Sequence, residues 1–220
     1  MDMNVPIILD GKKVANEIAE DLKKRCEILK ANHIFPKLII FTNTDDASKV
    51  YVRNKVKRCE EIGIKAVTYP ISKFEDFNIA DKDCDCCETP YILQEPSNLT
   101  KFQNTVFVDQ YYHTDVDGFS ASNLGKLFKN EEKDGLTYFK ACTPKGIITL
   151  LDYYNIPIEG RKVVILGRSN IVGRPMAAMM LNRDATVSVC HTKTLQMTFI
   201  DEIWSADIIV SAVGKTGMLS

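Results

Sequence analysis

The sequence predicts an α/β protein with two domains, and three observations carry this prediction. Short β-branched and aliphatic runs, typical of strands buried on both faces of a parallel sheet, alternate with helical segments. A glycine turn joins one run, Val163–Leu166, to a helix, as in nucleotide-binding sheets. The chain has 220 residues, 45% of them hydrophobic, enough for one large core or two modest ones. We expect an N-terminal αβ domain over residues 1–142 and a truncated Rossmann-type parallel-sheet domain over residues 143–220.

The charge balance excludes two classes of partner. With 28 basic and 29 acidic residues the formal net charge is −1, which gives no electrostatic footprint for nucleic acid or an anionic membrane. The sequence has no run of about 18 apolar residues and no signal-peptide pattern at its N-terminus. We therefore expect a cytoplasmic protein, with an organelle as the alternative location, and no nucleic-acid or membrane partner.

The seven cysteines fit a reducing compartment, because their number is odd. Cys84, Cys86 and Cys87 lie together in an acidic segment. A structural zinc site needs four ligands, usually in spaced pairs, and no second pair or nearby histidine completes this group. We interpret the segment as an acidic surface loop and predict no metal site.

The N-terminal half alternates helices and strands. Apolar spacing, caps and breakers define each element. The predicted elements are a helix capped by Asp10 with Val14, Ile18 and Cys26 on its buried stripe, the strand Leu38–Phe41, a helix from Thr44, Asp45 or Asp46 to Glu61 closed by Gly63, and the strand Ala66–Tyr69.

The second helix carries the first candidate site. Ser48, Tyr51 and Lys55 are three and four residues apart, so they share one face of the helix. A lysine amine can transfer a proton, and a tyrosine can stack on a flat ligand or donate a hydrogen bond. The pattern also arises often by chance on a solvated helix surface, so the pair alone does not decide between a site and a surface.

A second candidate is the segment Asp115-Val-Asp117-Gly118. Two carboxylates before a glycine indicate a turn, or a loop that presents one acid inward. A calcium loop would need a glutamate at EF-hand spacing, and none follows.

The C-terminal half predicts a βαβαβ succession, one mononucleotide-binding half of a doubly wound sheet. A helix with Thr143 as N-cap and Pro144 at its first position precedes it. The predicted elements that follow are the strand Val163–Leu166, the helix Met176–Leu181, the strand Ala185–Cys190, a short amphipathic helix Phe199–Trp204 and the strand Asp207–Val213.

The turn after Leu166 is a candidate phosphate site. Gly167 turns the chain, and Gly173 and Pro175 lie in the opening of the next helix, where first-turn amides have no helical partner. Those amides and the helix dipole favour an anion. Ser169 stands where the usual G-x-G-x-x-G motif has its second glycine, so the motif is weak without its βαβαβ context.

The end of the second strand of this half bears on the cofactor. An NAD site usually has an acidic residue there for the ribose hydroxyls, whereas a 2′-phosphate needs cationic and hydroxyl donors. The segment His191-Thr-Lys193-Thr contains no acid, and Arg168 lies beside the first turn. This favours NADP, with NAD as the alternative. The alternative interpretation of Arg168 and Lys193 is a pair of solvated surface charges.

Seven segments, taken in order, resemble the methylenetetrahydrofolate dehydrogenase/cyclohydrolase family. They cover nearly the whole chain. They are Ser48–Lys55, Leu93-Gln94, Asp115–Phe119, Cys142–Gly146, Gly167–Pro175, Cys190-His191 and Ala212–Gly214.

The resemblance implies two domains around a folate-binding cleft, a homodimer, and two activities. Family members oxidise 5,10-methylenetetrahydrofolate with NADP, or NAD in some, and many hydrolyse the methenyl product to 10-formyltetrahydrofolate. By this likeness Lys55 transfers the proton in hydrolysis, Gln94 holds its amine, Tyr51 stacks on the folate rings and Asp117 binds the pterin. Ser48 and Leu93 complete the substrate-binding set.

The resemblance also implies a set of cofactor-binding positions at the nucleotide turn and the two following strand ends. They are Gly167, Arg168, Ser169, Ile171, Val172, Gly173, His191, Thr192, Val213 and Gly214.

The chain departs from the family pattern in several places, among them a shorter connection from Pro70 to Thr89. Glu95 follows Gln94 where the family has an apolar residue, which puts a carboxylate beside the proposed lysine and would weaken it as a base. Thr114 replaces a lysine that commonly precedes the Asp-Val-Asp-Gly segment. The family also continues beyond the length of this chain with further strands, a folate-binding loop and a final helix.

Two other functions stay open on sequence alone. One is a catalytically impaired folate- or nucleotide-binding homologue. The other is a different small-molecule dehydrogenase with the same architecture, such as a shikimate-type enzyme.

Overall fold

Strands alternate with helices in both halves of the chain. The structure, a computed structural model, describes residues 6–42, 46–71, 89–94 and 100–214, without the side chains of residues 46–48, 102, 133 and 134. The chain divides into two compact units, residues 1–117 and 118–220, and each contains a three-stranded parallel sheet. The predicted two-domain α/β class is confirmed. The boundary that we place at 142/143 stays a prediction.

The first unit has a parallel sheet with strand order β2-β1-β3. Ile39 at the middle of β1 is paired with Val67 on one side and Tyr91 on the other. Its elements are α1 Gly11–Ala31, β1 Lys37–Thr42, α2 Asp46–Ile62, β2 Lys65–Pro70, β3 Tyr91–Leu93 and α3 Lys101–Gln110.

The first helix begins as its cap predicts. The Asp10 carboxylate accepts hydrogen bonds from the amides of Lys12 and Lys13, at 2.9 and 3.1 Å. Its buried stripe is narrower than the apolar spacing indicates, because Val14 and Cys26 are buried while Ile18 is 43% exposed.

The predicted end of α2 is confirmed. Gly63 has a φ of 89°, and the amide of the next residue, Ile64, donates to the Cys59 carbonyl oxygen at 2.8 Å. A left-handed residue after the last turn, followed by such a bond, satisfies carbonyls that the helix leaves free. The predicted cap residues Thr44 and Asp45 lie outside the described residues, as does the side chain of Asp46.

The sheet of the first unit separates two clusters of buried side chains. One is aromatic and includes Phe41, Tyr91 and Phe107. The other contains Ile40 of β1, Ile92 of β3 and Val52 of α2. Successive residues of β1 and β3 therefore face opposite clusters, as the two-residue period of a strand requires.

The second unit contains the predicted βαβαβ succession, with strand order β5-β4-β6. The central strand pairs in parallel with both neighbours, and Val163–Leu166 are fully buried. The elements are α4 Ala121–Lys129, a 3₁₀ turn Glu131–Asp134, α5 Cys142–Tyr153, β4 Lys162–Leu166, α6 Gly173–Leu181, β5 Thr186–Cys190, α7 Gln196–Trp204 and β6 Ile208–Ser211.

The predicted start of α5 is wrong by two residues. Ala141, not Thr143, is the N-cap residue, and the first helical bond runs from the Lys145 amide to the Ala141 carbonyl oxygen at 3.0 Å. Pro144 is thus the third helical residue. Any of the first-turn positions tolerates a proline, since their N–H groups have no helical acceptor, so the Thr-Pro pair did not fix the register.

None of the helices in the described ranges is both long and apolar enough to cross a bilayer.

Candidate active site

The second helix positions Lys55 through its apolar face. Val52 and Cys59 are each 9% exposed, and Val52 packs with Ile40 and Ile92 of the sheet. Lys55, three residues after Val52, lies half-buried at the border of this contact. Tyr51, on the same helix, is 67% exposed. The helix thus presents a phenol to solvent and holds an amine against the sheet.

Lys55 contacts Gln94, 39 residues further along the chain. Its Nζ donates a hydrogen bond to Gln94 Oε1 at 2.9 Å in a partly buried setting. The Gln94 amide donates to the Phe41 carbonyl oxygen at 2.9 Å, which continues the β1–β3 ladder by one residue. The side-chain amide is an uncharged acceptor, so it orients the lysine nitrogen without adding a negative charge.

Asp117 belongs to the same electrostatic group. Burial raises the pKa of its carboxyl to about 6; the positive charge of Lys55 opposes this rise, and the carboxylate of Asp115 adds to it. Asp115 itself is only 2% exposed. Burial therefore affects both acids of this segment, and the pKa of the Asp117 carboxyl lies above its ordinary range.

The other two predicted substrate-binding residues are placed differently. Ser48 lies in α2, but its side chain is outside the described set. Leu93 is 7% exposed and packs into the aromatic cluster with Phe41 and Phe107. Its side chain is therefore part of the core of the first unit. The substrate-binding roles of both residues stay predictions.

In the second unit, the turn after Leu166, residues 167–173, is called the nucleotide turn. Its backbone segments pass very close to one another. Gly167 has a φ of 108°, and a Cβ added to it would lie 2.8 Å from the Ala212 carbonyl oxygen. A Cβ on Gly173 would lie 2.3 Å from the Gly167 carbonyl oxygen and 2.9 Å from Arg168 Cα. Both glycines are required because the chain passes too close for a side chain.

Ser169 binds the backbone amides at the start of the helix that follows this turn, whose N-cap residue is Val172. Its hydroxyl oxygen accepts from the Val172 amide at 3.2 Å and from the Gly173 amide at 3.4 Å. A hydroxyl that accepts two bonds still has its own O–H to donate. The first amides of α6 are therefore bound within the chain, and a phosphate at this turn would meet the Ser169 hydroxyl and the surrounding exposed loop.

Two arginines flank the turn. Arg168 is exposed, and Arg174 Nε donates to the Arg168 carbonyl oxygen at 3.3 Å. Ile171 is 48% exposed and Val172 is half-buried. The loop thus combines cationic side chains with an apolar surface, a composition that fits a phosphate joined to a flat, apolar ring.

The ends of the three strands of the second unit converge beside this turn. The Gly167 amide donates to the Cys190 carbonyl oxygen at 2.8 Å, and Val213 packs with Leu166 and Cys190. Gly214 follows and is exposed. Ligands of open parallel sheets bind at the carboxyl ends of the strands, so the predicted cofactor positions lie at the expected edge.

The segment after β5 forms a tight turn. Thr194 Oγ1 accepts from the His191 amide at 2.9 Å, and His191 Nδ1 accepts from the Lys193 amide at 3.1 Å. Thr192 is exposed within it. No carboxylate occurs from Cys190 to Leu195, so the donor set of this turn fits a 2′-phosphate better than ribose hydroxyls alone.

Within the described ranges, no group of three or more His, Cys, Asp or Glu side chains could hold a metal ion. Cys26, Cys59, Cys142 and Cys190, which lie in these ranges, form no disulfide bond. The predicted acidic loop with Cys84, Cys86 and Cys87 lies outside the described residues, as does Glu95.

Comparison with known proteins decides the family. Residues 9–78 match the catalytic-domain model of tetrahydrofolate dehydrogenase/cyclohydrolase, and residues 141–220 match its NAD(P)-binding-domain model. Bifunctional protein FolD of Ligilactobacillus salivarius is 39% identical over 217 residues, which are 96% of this chain and 74% of that relative. The chain belongs to the tetrahydrofolate dehydrogenase/cyclohydrolase family. The resemblance drawn from the ordered motifs is confirmed.

Solved structures of this family agree with the fold. Bifunctional FolD from Campylobacter jejuni aligns with a TM-score of 0.87 at 36% identity, covering 97% of this chain and 76% of that one. The Trypanosoma brucei dehydrogenase-cyclohydrolase, solved with NADP and an inhibitor, aligns with a TM-score of 0.82 at 25% identity, covering 96% and 73%. The chain thus spans about three-quarters of the length of these relatives.

Three contacts in this family member were not predicted. Arg174 anchors the nucleotide turn, Thr194 closes the turn after β5, and Asp115 pairs with Tyr91 in an isolated β-bridge. The His191–Thr194 spacing, with a hydroxyl three residues on, was a usable signal for the second contact. The other two depend on tertiary contacts that no local pattern reveals.

Proposed function

We propose that this chain oxidises 5,10-methylenetetrahydrofolate to the methenyl form with NADP, and hydrolyses the methenyl form to 10-formyltetrahydrofolate. Family membership supports both activities. The observation that carries the proposal is the hydrogen bond of 2.9 Å between Lys55 Nζ and Gln94 Oε1, beside a carboxyl with a pKa of about 6. Lysine, glutamine and aspartate at these positions are the residues that the resemblance assigns to the folate site.

Lys55 would manage protons in the hydrolytic step. Water attack on the cationic methenyl carbon releases a proton, and ring opening needs one delivered to nitrogen. An amine held by a neutral amide keeps two further N–H positions or a lone pair for this exchange, depending on its protonation. Gln94 fixes where that nitrogen lies, which is the orientation that catalysis requires.

Asp117 and Tyr51 would hold the substrate. The pterin ring presents an amino group and a ring N–H, and an ionised carboxylate accepts hydrogen bonds from both. The exposed phenol ring of Tyr51 offers a flat surface on which the folate rings can stack. The oxidation then requires the reacting carbon to be positioned against the nicotinamide, which accepts a hydride when the cofactor is bound.

The cofactor proposal is NADP rather than NAD. Arg168 is exposed beside the turn, and the segment from Cys190 to Leu195 has no acidic residue. The Trypanosoma brucei relative was solved with NADP. We expect kcat/KM to be higher with NADP than with NAD, and Arg168→Ala to lower it for NADP by about tenfold while leaving NAD little changed. Equal losses for both cofactors would refute the role given to Arg168.

The deciding experiment is Lys55→Met. Hydrolysis of methenyltetrahydrofolate should fall by about 100-fold or more, whereas NADP reduction should fall much less, because only hydrolysis needs the proton-transferring amine. Lys57→Met is the matched control, since Lys57 lies on the same helix with its side chain 73% exposed near Glu61. Full hydrolysis by Lys55→Met would refute the assignment, and cofactor binding without turnover by the unmodified chain would favour a catalytically impaired homologue.

Three further expectations belong to this proposal. We expect a homodimer, a cytoplasmic location, and a functional domain boundary near residues 142 and 143. Light scattering of the purified chain tests the first, imaging of a tagged chain the second, and limited proteolysis the third.

A further inference from the structure

The turn after β5 uses a histidine ring as a hydrogen-bond acceptor for its own backbone. His191 Nδ1 accepts from the amide of Lys193, two residues further on, at 3.1 Å. A backbone N–H only donates, so Nδ1 contributes a lone pair to this bond and carries no proton. The ring is therefore the uncharged tautomer with its proton on Nε2. A doubly protonated ring has no lone pair for this contact.

Two further bonds close the same segment, residues 191–194. The His191 amide donates to Thr194 Oγ1 at 2.9 Å, and the Thr194 amide donates to the His191 carbonyl oxygen at 2.8 Å. Directly before the segment, the Cys190 carbonyl oxygen accepts from the Gly167 amide at 2.8 Å. The turn is thus held both by its own bonds and by a bond to the nucleotide turn.

These bonds leave one amide of the turn available. The amides of His191, Lys193 and Thr194 all donate within the turn. Thr192 is exposed, and among the residues that the structure describes it makes no hydrogen bond. An amide and a hydroxyl on one residue are two donors for a phosphate oxygen. The turn holds both at the end of the strand where dinucleotide-binding sheets contact the ribose.

We propose that His191 is a positioning residue for cofactor selection: its uncharged ring holds the Lys193 amide, and the turn closed in this way keeps the Thr192 amide and hydroxyl in place for the 2′-phosphate of NADP. This inference rests on the proposed function, which gives the chain NADP. His191 acts through the turn and not through its own charge. NAD has no phosphate on this ribose, so its binding depends less on the turn.

The test replaces the ring acceptor and measures the binding of two nucleotides. His191→Leu removes the acceptor, whereas His191→Asn keeps one, because asparagine Oδ1 is as many bonds from the backbone as Nδ1 and commonly accepts from the amide two residues on. Calorimetry with adenosine 2′,5′-bisphosphate and with 5′-AMP measures binding with and without the second phosphate. His191→Leu should bind the bisphosphate about threefold to tenfold more weakly than the unmodified chain, and 5′-AMP about equally. His191→Asn should restore the bisphosphate affinity to within about twofold.

The inference fails if a folded His191→Leu protein keeps full affinity for the bisphosphate. It also fails if both nucleotides lose affinity equally, since that result would mark a purely structural role. A loss in His191→Asn as large as that in His191→Leu would show that the acceptor is not the cause. His191→Phe gives the same test should the leucine variant not fold.

Amide hydrogen exchange, followed by NMR, separates this inference from the proposed function. In the unmodified chain the Lys193 amide should exchange about tenfold or more slowly than that of Thr192, and the difference should vanish in His191→Leu and persist in His191→Asn. Equal exchange of the two amides in the unmodified chain would overturn the inference. If the unmodified chain does not prefer the bisphosphate to 5′-AMP, the proposed use of NADP fails, while the exchange rates still decide whether His191 holds the turn.

Discussion

The nucleotide turn and the lysine cluster differ in how the chain builds them. The turn between β4 and α6 comes from one continuous segment, and its geometry is backbone geometry: two glycines in contact and a serine hydroxyl on the next two amides. The lysine cluster joins α2, the residue after β3 and the 115–117 segment, and its geometry is a set of side-chain contacts.

The difference predicts how each region responds to change. A site formed by closely packed backbone is distorted by any added side-chain atom. Its geometry depends little on pH, because backbone groups are not ionisable. A site made of buried ionisable side chains tolerates conservative replacement sterically, but its stability and activity depend on charge. Substitutions at four sites, with their controls, test this contrast.

The largest effect is expected from Gly173→Ala. The added Cβ would lie 2.3 Å from the Gly167 carbonyl oxygen, so the turn must open, at a cost of about 2–4 kcal/mol, with loss of NADP binding. Urea unfolding and calorimetric NADP titration measure both. Gly146→Ala in α5 is the control, because its Cβ meets nothing within 4 Å and should add about 0.5–1 kcal/mol of stability. Normal NADP binding by Gly173→Ala would contradict a turn set by backbone contact.

Replacing Gln94 tests the lysine cluster. In Gln94→Leu the lysine nitrogen loses its acceptor, so methenyl hydrolysis should fall by about 10- to 100-fold while NADP affinity stays unchanged. Gln94→Glu keeps an acceptor but adds a charge that favours the ammonium form, so its hydrolysis should recover toward higher pH. Steady-state rates between pH 6 and 9 check both, and hydrolysis at full rate in Gln94→Leu would refute the positioning role.

The pH dependence of stability tests the buried carboxyl. The folded-state pKa of Asp117, about 6, is above its ordinary value of 3.8, so the folded chain binds this proton more tightly than the unfolded chain does. The stability that this gives is present below pH 4 and is lost as the pH rises through 6. Asp117→Asn should therefore be more stable by about 1–2 kcal/mol at pH 7 and show no gain near pH 4. Urea midpoints at the two pH values measure this, and a gain that is equal at both would show that charge is not its cause.

The smallest effect is expected from Ser169→Ala. Two amides lose their acceptor, which should cost about 1 kcal/mol of stability and about fivefold in NADP affinity. Ser169→Thr keeps the hydroxyl and should remain close to the unmodified chain. Calorimetry of the two variants compares them, and equal affinities would mean that the hydroxyl does not contribute to the turn.

The sequence predicted the nucleotide turn better than the lysine cluster, because the turn is one continuous segment and the cluster joins three separate ones. Glycines, caps and apolar runs are local signals, so the bend at Gly167 and the strands of the second unit were assigned from the residues alone to within about two residues. The helix α6 was also predicted, although it begins at Gly173 rather than Met176. Lys55 and Asp117 stood out only weakly, and the family resemblance rather than the pattern linked them to Gln94. Lys55 and Gln94 are 39 residues apart in the sequence, and the sheet brings them together. No local sequence pattern describes such a contact.

The errors in the prediction concern the start of one helix and the buried width of another. Thr143 was expected to cap α5, whereas Ala141 does, because a Thr-Pro pair fits more than one position in a first turn. Ile18 was expected to be buried from its spacing, but an apolar period gives the direction of a helix face and not its width.

The bonds of the Ser169 hydroxyl to the first amides of α6 affect how fast the cofactor can bind. Because the Ser169 hydroxyl and the Arg174 side chain already hold the turn in shape, a dinucleotide would not have to organise it on arrival. Little conformational entropy would then be lost at encounter, and association would be limited by diffusion rather than by loop ordering.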